Sequence, residues 1–208
     1  SKSIYPSFYI YQPNKNFIKN IQNLSKSIKK LFNQNLKNFQ TKFFNTYKIY
    51  GYRVPSDYFD HLYFVEFING IIQDQKLKFL EVGGGSSLLS SLMHNLGYTK
   101  SVHLDLAPYL LAQKLFLDNK GEFYLSERIL DIKDVKVDFL INQDSFPEIS
   151  YKELKKIFDF IEKNKINKIF SNNHCSDNQN QSDFRLLLKE RSYRPVISFP
   201  NPIRKGYL

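Results

Sequence analysis

The chain has 208 residues, 42% of them hydrophobic and 16% aromatic, enough for one core that buries roughly 70% of the unfolded surface and too apolar for a disordered chain. Its formal charge is +10, and its single cysteine, Cys175, excludes an internal disulfide framework and fits a reducing, cytoplasmic setting. No apolar run approaches the length of a membrane span, and no signal-peptide pattern stands at the start.

The charge is unevenly spread. Residues 1–56 hold ten Lys/Arg and no acid, whereas the rest of the chain carries 20 basic and 20 acidic groups and is neutral. Residues 1–15 read as an extended or irregular arm with Tyr5, Phe8, Tyr9 and Tyr11 as packing groups. From Asn16 the apolar residues recur at helical steps: Phe17, Ile21, Leu24, Ile28 and Leu31, then Leu36, Phe39 and Phe43 after a phase slip. Lys19, Lys26, Lys29, Lys30 and Lys37 lie mostly off that stripe, so one or two basic amphipathic helices are expected. Three uses compete for them: a cap on the domain, a site for an acidic ligand or lipid surface, and nucleic-acid binding. The last would need aromatic rings interleaved with the basic groups, and here the rings belong to the apolar stripe.

Gly51 to Pro55 reads as a break, which divides the chain into an N-terminal extension (1–55) and a main domain (56–208). Ser56 suits an N-cap for a helix over Asp57–Gln73, with Asp57 and Asp60 in its first turn and Phe59, Leu62, Tyr63, Phe67 and Ile71 as its buried face. His61 on that helix is an ordinary packed or surface histidine.

Leu77–Asp105 organises the domain. A short apolar strand (Leu77, Phe79, Leu80, Val82) meets three glycines, Gly83–Gly85; a helix then starts around Ser86, and a second apolar strand ends in Asp105. This is the opening βαβ unit of a nucleotide-binding sheet. The glycines let the chain turn off the strand and let a ligand approach the backbone. Asp105, 20 residues after Gly85, falls where a carboxylate can take the hydroxyls of a ribose. A phosphate-binding loop would need Gly-Lys-Ser/Thr, and Ser86-Ser87 follow Gly85 instead. A dinucleotide fingerprint would place its third glycine at Leu88, which disfavours a nicotinamide-dependent oxidoreductase.

Beyond this unit, a helix is expected from Pro108 to about Asn119, with Leu110, Leu111, Leu115 and Phe116 facing the core and Lys120-Gly121 ending it. Phe123–Leu125 reads as a third strand, and Ser126–Lys136 stays open. Val137–Asn142 is a fourth strand, followed by the polar turn Gln143-Asp144-Ser145 and a helix over Tyr151–Lys163. Ligands of open α/β sheets sit at such strand ends, although Asp144 and Ser145 could simply cap the turn. A fifth strand over Asn167–Phe170, a helix over Phe184–Arg191 and a strand over Val196–Phe199 complete the pattern. His174, Cys175 and Asp177 form a short cluster without the spaced partner that a metal site needs, so no metal is expected. His174 fits better as an acid or base beside the pocket.

The run Glu81-x-Gly83-x-Gly85 resembles motif I of the class I S-adenosylmethionine-dependent methyltransferases, acid-x-Gly-x-Gly-x-Gly, with Ser87 at the third glycine. An acid suits this cofactor, which carries an ammonium and a sulfonium rather than a pyrophosphate. The resemblance covers residues 56–208. It implies a Rossmann-like α/β sheet with helices on both faces, and S-adenosyl-L-methionine held by Glu81, Gly83, Gly84, Gly85, Asp105 and Asn142. An adenine contact would come from Ser126 or Asp131. Asn142-x-x-Ser145-Phe146-x-Glu148, with Ile169–His174, is similar to a bacterial group of sugar O-methyltransferases. That implies a hydroxyl of a sugar or glycan as acceptor, with Asp144, Glu148 and His174 as available bases. The turn also lacks the paired prolines of many amine methyltransferases, which favours oxygen over nitrogen. The alternative is a nucleic-acid- or anionic-surface-binding protein that uses the basic segment and keeps the α/β core as scaffold.

Overall fold

The computed structural model describes residues 46–49, 52–55, 58–133, 135–173 and 179–193. The predicted basic stripe over 16–43, the cluster from His174 to Asp177 and the strand predicted over 196–199 lie outside them. The elements are a hairpin of β1 (Thr46–Ile49) and β2 (Tyr52–Pro55), then α1 (Tyr58–Ile71), β3 (Phe79–Val82), α2 (Leu88–Asn95), β4 (Ser101–Asp105) and α3 (Ala107–Phe116). They continue with β5 (Glu122–Leu125), a 3-10 turn (Ser126–Asp131), β6 (Phe139–Gln143), a second 3-10 turn (Phe146–Glu148), α4 (Tyr151–Lys163), β7 (Ile169–Asn172) and α5 (Gln179–Glu190).

The five strands from β3 onward form one parallel sheet in the order β5-β4-β3-β6-β7. Counted along the chain this is 3-2-1-4-5, a doubly wound sheet whose order reverses between β3 and β6. Buried on both faces, β3, β4 and β6 have no exposed position. Period-2 alternation divides their side chains. Phe79, Phe139 and Ile141 pack with Leu62, Val65 and Ile68 of α1 and Leu89 and Leu92 of α2. Leu80, Val82, Val102, Leu104 and Leu140 face the other way, onto Leu154, Ile157, Phe158 and Ile161 of α4. Helix α4 begins where its pattern predicts, with Ser150 Oγ accepting the Glu153 N–H at 3.4 Å as N-cap.

Several expectations need correction. Residues 52–55 are a strand paired antiparallel with 46–49, not a break. Thr46, Tyr47 and Ile49, and Tyr52 and Val54, are β-branched or aromatic, and the two runs are separated by two residues, the spacing of a hairpin. Helix α1 buries Tyr58, Leu62, Val65 and Ile68, with Ile72 buried just past its end, while Ile71 is exposed. In α3 the buried residues are Leu110 and Gln113, continued by Leu117 at the C-cap, and the expected core residues Leu111 and Leu115 are 65% and 73% exposed. That helix packs on β4 and β5 at the sheet edge, so only a narrow strip at steps of three and four is covered. Among the described residues no helix is long and apolar enough to cross a membrane, and no cluster of three or more His, Cys, Asp or Glu could hold a metal.

Candidate functional site

The glycine turn runs from the end of β3 to α2 at the carboxyl edge of the sheet. Its backbone donors point inward: Gly83 N–H to Leu104 O at 2.9 Å, Ser87 N–H to Gly84 O at 2.8 Å and Gly85 N–H to Asp105 Oδ2 at 3.0 Å. Gly83 and Gly85 have φ of +68° and +51°, the left-handed region where a Cβ is costly. A Cβ on Gly83 would collide with Ser145, and one on Gly84 with the Glu81 carboxylate. At Gly85 a Cβ would meet nothing within 4 Å, so this glycine borders open space, as a backbone that a ligand approaches must.

Asp105 closes the turn from β4. Besides Gly85, its Oδ2 accepts Gln113 Nε2 of α3 at 2.7 Å, and its Oδ1 accepts the Leu106 N–H at 2.7 Å. Three of the roughly four lone-pair directions of a carboxylate are thereby filled, which leaves one on Oδ1 for a ligand hydroxyl. Burial pushes the Asp105 pKa above the usual carboxylate range, against the lowering effect of these hydrogen bonds and with a further push from nearby Glu81. Gln113 also reaches Gly85 O at 3.3 Å, so it ties helix, loop and strand together. Sequence reading overlooked it. The available signal was a polar residue at a helical step from Leu110 and Leu117.

Glu81 sits beneath Gly84 and is buried. Its Oε2 accepts from Ser90 Oγ of α2 at 2.5 Å and faces His103 Nδ1 at 3.2 Å, while its Oε1 is buried with no hydrogen-bond partner. The register pairs Glu81 with His103 and Phe79 with Ser101. Thus Glu81, Ser101, His103 and Asp105 share one face of the sheet.

At β6 the side chain of Asn142 donates to Val82 O at 3.0 Å and to Ser145 Oγ, and accepts Asn173 Nδ2 at 2.8 Å. It ties β3 and β6 to the residue that follows β7, on the sheet face opposite Glu81. Gln143, on the Glu81 face, donates to Asp60 of α1 at 2.5 Å; neither had been singled out as a site residue. Asp144 turns the chain with φ +60° and donates its N–H to Asn172 O at 3.1 Å. It is half-buried, whereas Glu148 on the following 3-10 turn is exposed. His174 lies outside the described residues. Of the two adenine candidates, Ser126 directly follows β5, whose Leu125 pairs with Asp105, while Asp131 is exposed and ion-paired with Arg128 at 3.2 Å.

No family model matches the chain, and no curated protein matches it. Solved structures do. Protein 1320 of Thermoplasma acidophilum is similar at 15% identity and a TM-score of 0.52, over 78% of this chain and 74% of that one. The two share a fold, a Rossmann-like α/β core on a five-stranded parallel sheet. A candidate RNA methyltransferase from Pyrococcus horikoshii is similar at 14% identity and a TM-score of 0.49, over 82% of this chain and 81% of that one. The glycopeptide N-methyltransferase MtfA, also solved with S-adenosyl-L-homocysteine, is similar at 13% identity and a TM-score of 0.47, over 56% of this chain and 54% of MtfA. The chain thus spans about half the length of MtfA.

Within this Rossmann-like fold the residues present fit S-adenosylmethionine better than a dinucleotide. A pyrophosphate needs free N–H groups at the turn, and three of them are spent internally. Two buried carboxylates, Glu81 and Asp105, would repel it. An ammonium or sulfonium meets the opposite field, and the orphan Glu81 Oε1 is an acceptor that lacks a donor.

Proposed function

We propose that the chain is an S-adenosylmethionine-dependent methyltransferase that methylates a hydroxyl of a sugar or glycan-type acceptor. The observation that carries the cofactor is the acid-flanked turn whose donors face inward while Gly85 borders open space. When bound, the cofactor supplies an already activated methyl group. The chain then has to orient two partners and accept a proton.

Asp105 offers its remaining Oδ1 direction to a ribose hydroxyl, held in place by Gly85, Leu106 and Gln113. Glu81 places negative charge beneath Gly84, where it offsets an ammonium. On the acceptor side, the β6 turn stands next to the point where the strand order reverses, and Asp144 is the half-buried carboxylate there. A hydroxyl is far less acidic than a protonated carboxylate, so proton removal by Asp144, Glu148 or His174 accompanies methyl transfer rather than preceding it. The oxygen acceptor rests on the sequence similarity of Asn142–Glu148 and on the missing prolines.

The deciding experiment is calorimetric titration of S-adenosylmethionine, S-adenosylhomocysteine and NAD into wild type and Asp105→Ala. Binding of the first two, no binding of NAD and at least a tenfold loss in the variant are expected, because a lost hydrogen bond to a charged group is worth about 1.5–3 kcal/mol. A folded wild type that binds neither sulfur compound overturns the proposal. Transfer of labelled methyl to amines but not to sugars would overturn the oxygen acceptor alone.

A further inference from the structure

A polar chain runs from the glycine turn into the sheet: Glu81 Oε2 to His103 Nδ1 at 3.2 Å, His103 Nε2 to Ser101 Oγ at 2.9 Å, and Ser101 Oγ to His94 Nε2 of α2 at 2.9 Å. Glu81, Ser101 and His103 are at most 2% exposed. Phe123 stacks on the His103 ring at 4.8 Å, and Gly121, with φ +113°, leaves the room that Nε2 and Ser101 Oγ occupy. This is an expensive arrangement for a strand that could have been apolar throughout.

Ser101 has one hydroxyl proton and two imidazole neighbours, so the chain has two proton arrangements. In one, Ser101 donates to His103 Nε2, and His103 is neutral with its proton on Nδ1 facing Glu81. In the other, His103 is an imidazolium that donates from both nitrogens, and Ser101 passes its proton toward His94. Burial and the neighbouring His103 lower the His94 pKa to about 4, so at neutral pH His94 can serve as that acceptor. The first arrangement leaves Glu81 as an uncompensated negative charge; the second cancels it.

We propose that His103 is a positioning residue that sets the charge Glu81 presents to the ammonium end of the cofactor, so that binding of an ammonium-bearing ligand expels a proton from His103. This rests on the turn being an S-adenosylmethionine site. The other ionisable groups that act on the chain are Asp105 on β4, His94 on α2 and Lys120 after α3. They set the background but do not touch the Glu81–His103 contact.

The test compares S-adenosylhomocysteine with 5′-methylthioadenosine, which lacks the amino-acid end, on the full chain over a pH series. Titrations are run in buffers of different ionisation enthalpy. In wild type the ratio of the two affinities should rise with pH by about tenfold, the scale of one charge acting over a few ångström of partly hydrated protein. S-adenosylhomocysteine alone should release a proton. In His103→Gln, which keeps a donor but no titrating ring, the ratio should be flat and the proton release gone, with methylthioadenosine affinity within twofold. Ser101→Ala leaves the Glu81 contact intact and should weaken the pH dependence, which gives an answer even where His103→Gln fails to fold. An unchanged pH dependence in either variant, or equal loss of both ligands in His103→Gln, overturns the proposal. A wild type that binds both ligands with a pH-independent ratio refutes the role of His103 alone. A wild type that binds neither refutes the cofactor reading as well.

Discussion

Ser87 holds a backbone conformation, φ 59° and ψ 22°, that costs a non-glycine residue roughly 1–2 kcal/mol, and its hydroxyl is buried without a hydrogen-bond partner. The resembled motif has glycine here for that reason. Ser87→Gly should therefore raise stability by about 1 kcal/mol in urea denaturation and leave cofactor affinity unchanged; a destabilised variant would mean that Ser87 Oγ has a role in the folded chain. His94 makes the opposite kind of contribution. Its pKa is lowered to about 4 by burial, so between pH 6.5 and about 4 the unfolded chain takes up a proton that the native state refuses. Stability is then present above pH 6.5 and falls, by at most about 3 kcal/mol, as pH drops through that window. Denaturation at pH 7 and pH 4.5 should give a smaller difference for His94→Gln than for wild type.

Helix α3 is where side-chain pattern and packing part company. Four apolar residues near its middle look equivalent in the sequence, yet the sheet edge takes up Leu110 and leaves Leu115 in solvent. Leu110→Ala should cost about 2–4 kcal/mol and Leu115→Lys less than about 0.5 kcal/mol, read as shifts in denaturation midpoint. Equal costs would contradict the observed phase of the helix. At the glycine turn, Gly84→Ala drives a Cβ into the Glu81 carboxylate. On the proposed reading it should weaken S-adenosylhomocysteine binding more than it weakens binding of methylthioadenosine, because the displaced group would face the amino-acid end.

For the whole molecule, a ligand that binds only the folded chain stabilises it by about 2.7 kcal/mol at a hundred times its Kd. For a chain of this size that corresponds to a rise in Tm of about 5–10 °C. S-adenosylhomocysteine should produce it and NAD should not; the same scan with NAD giving the larger rise would reverse the cofactor assignment. The basic extension is a separate matter. Ten positive charges without an acid over residues 1–56 remain a candidate surface for an acidic ligand, and strong salt dependence of any such binding is its signature.

The sequence alone determined the parts whose signal is local. Glycines at a strand end, an acid 20 residues on, and apolar runs of strand and helix period each follow from short-range sterics and burial. They sufficed for the βαβ unit, the place of Asp105 beside the glycine turn and the class of sheet. The tertiary structure decided what depends on neighbours far along the chain. His103 looks like one polar residue in an apolar strand until the parallel register sets it beside Glu81, 22 residues away. Gln113 looks like a helix-surface residue until α3 turns it onto Asp105 and Gly85. Asn142 looks like one polar residue at a strand end until Val82 and Asn173 come to either side of its amide. Pairing across strands and the phase of an edge helix are set by the packed whole, and no window of sequence contains them.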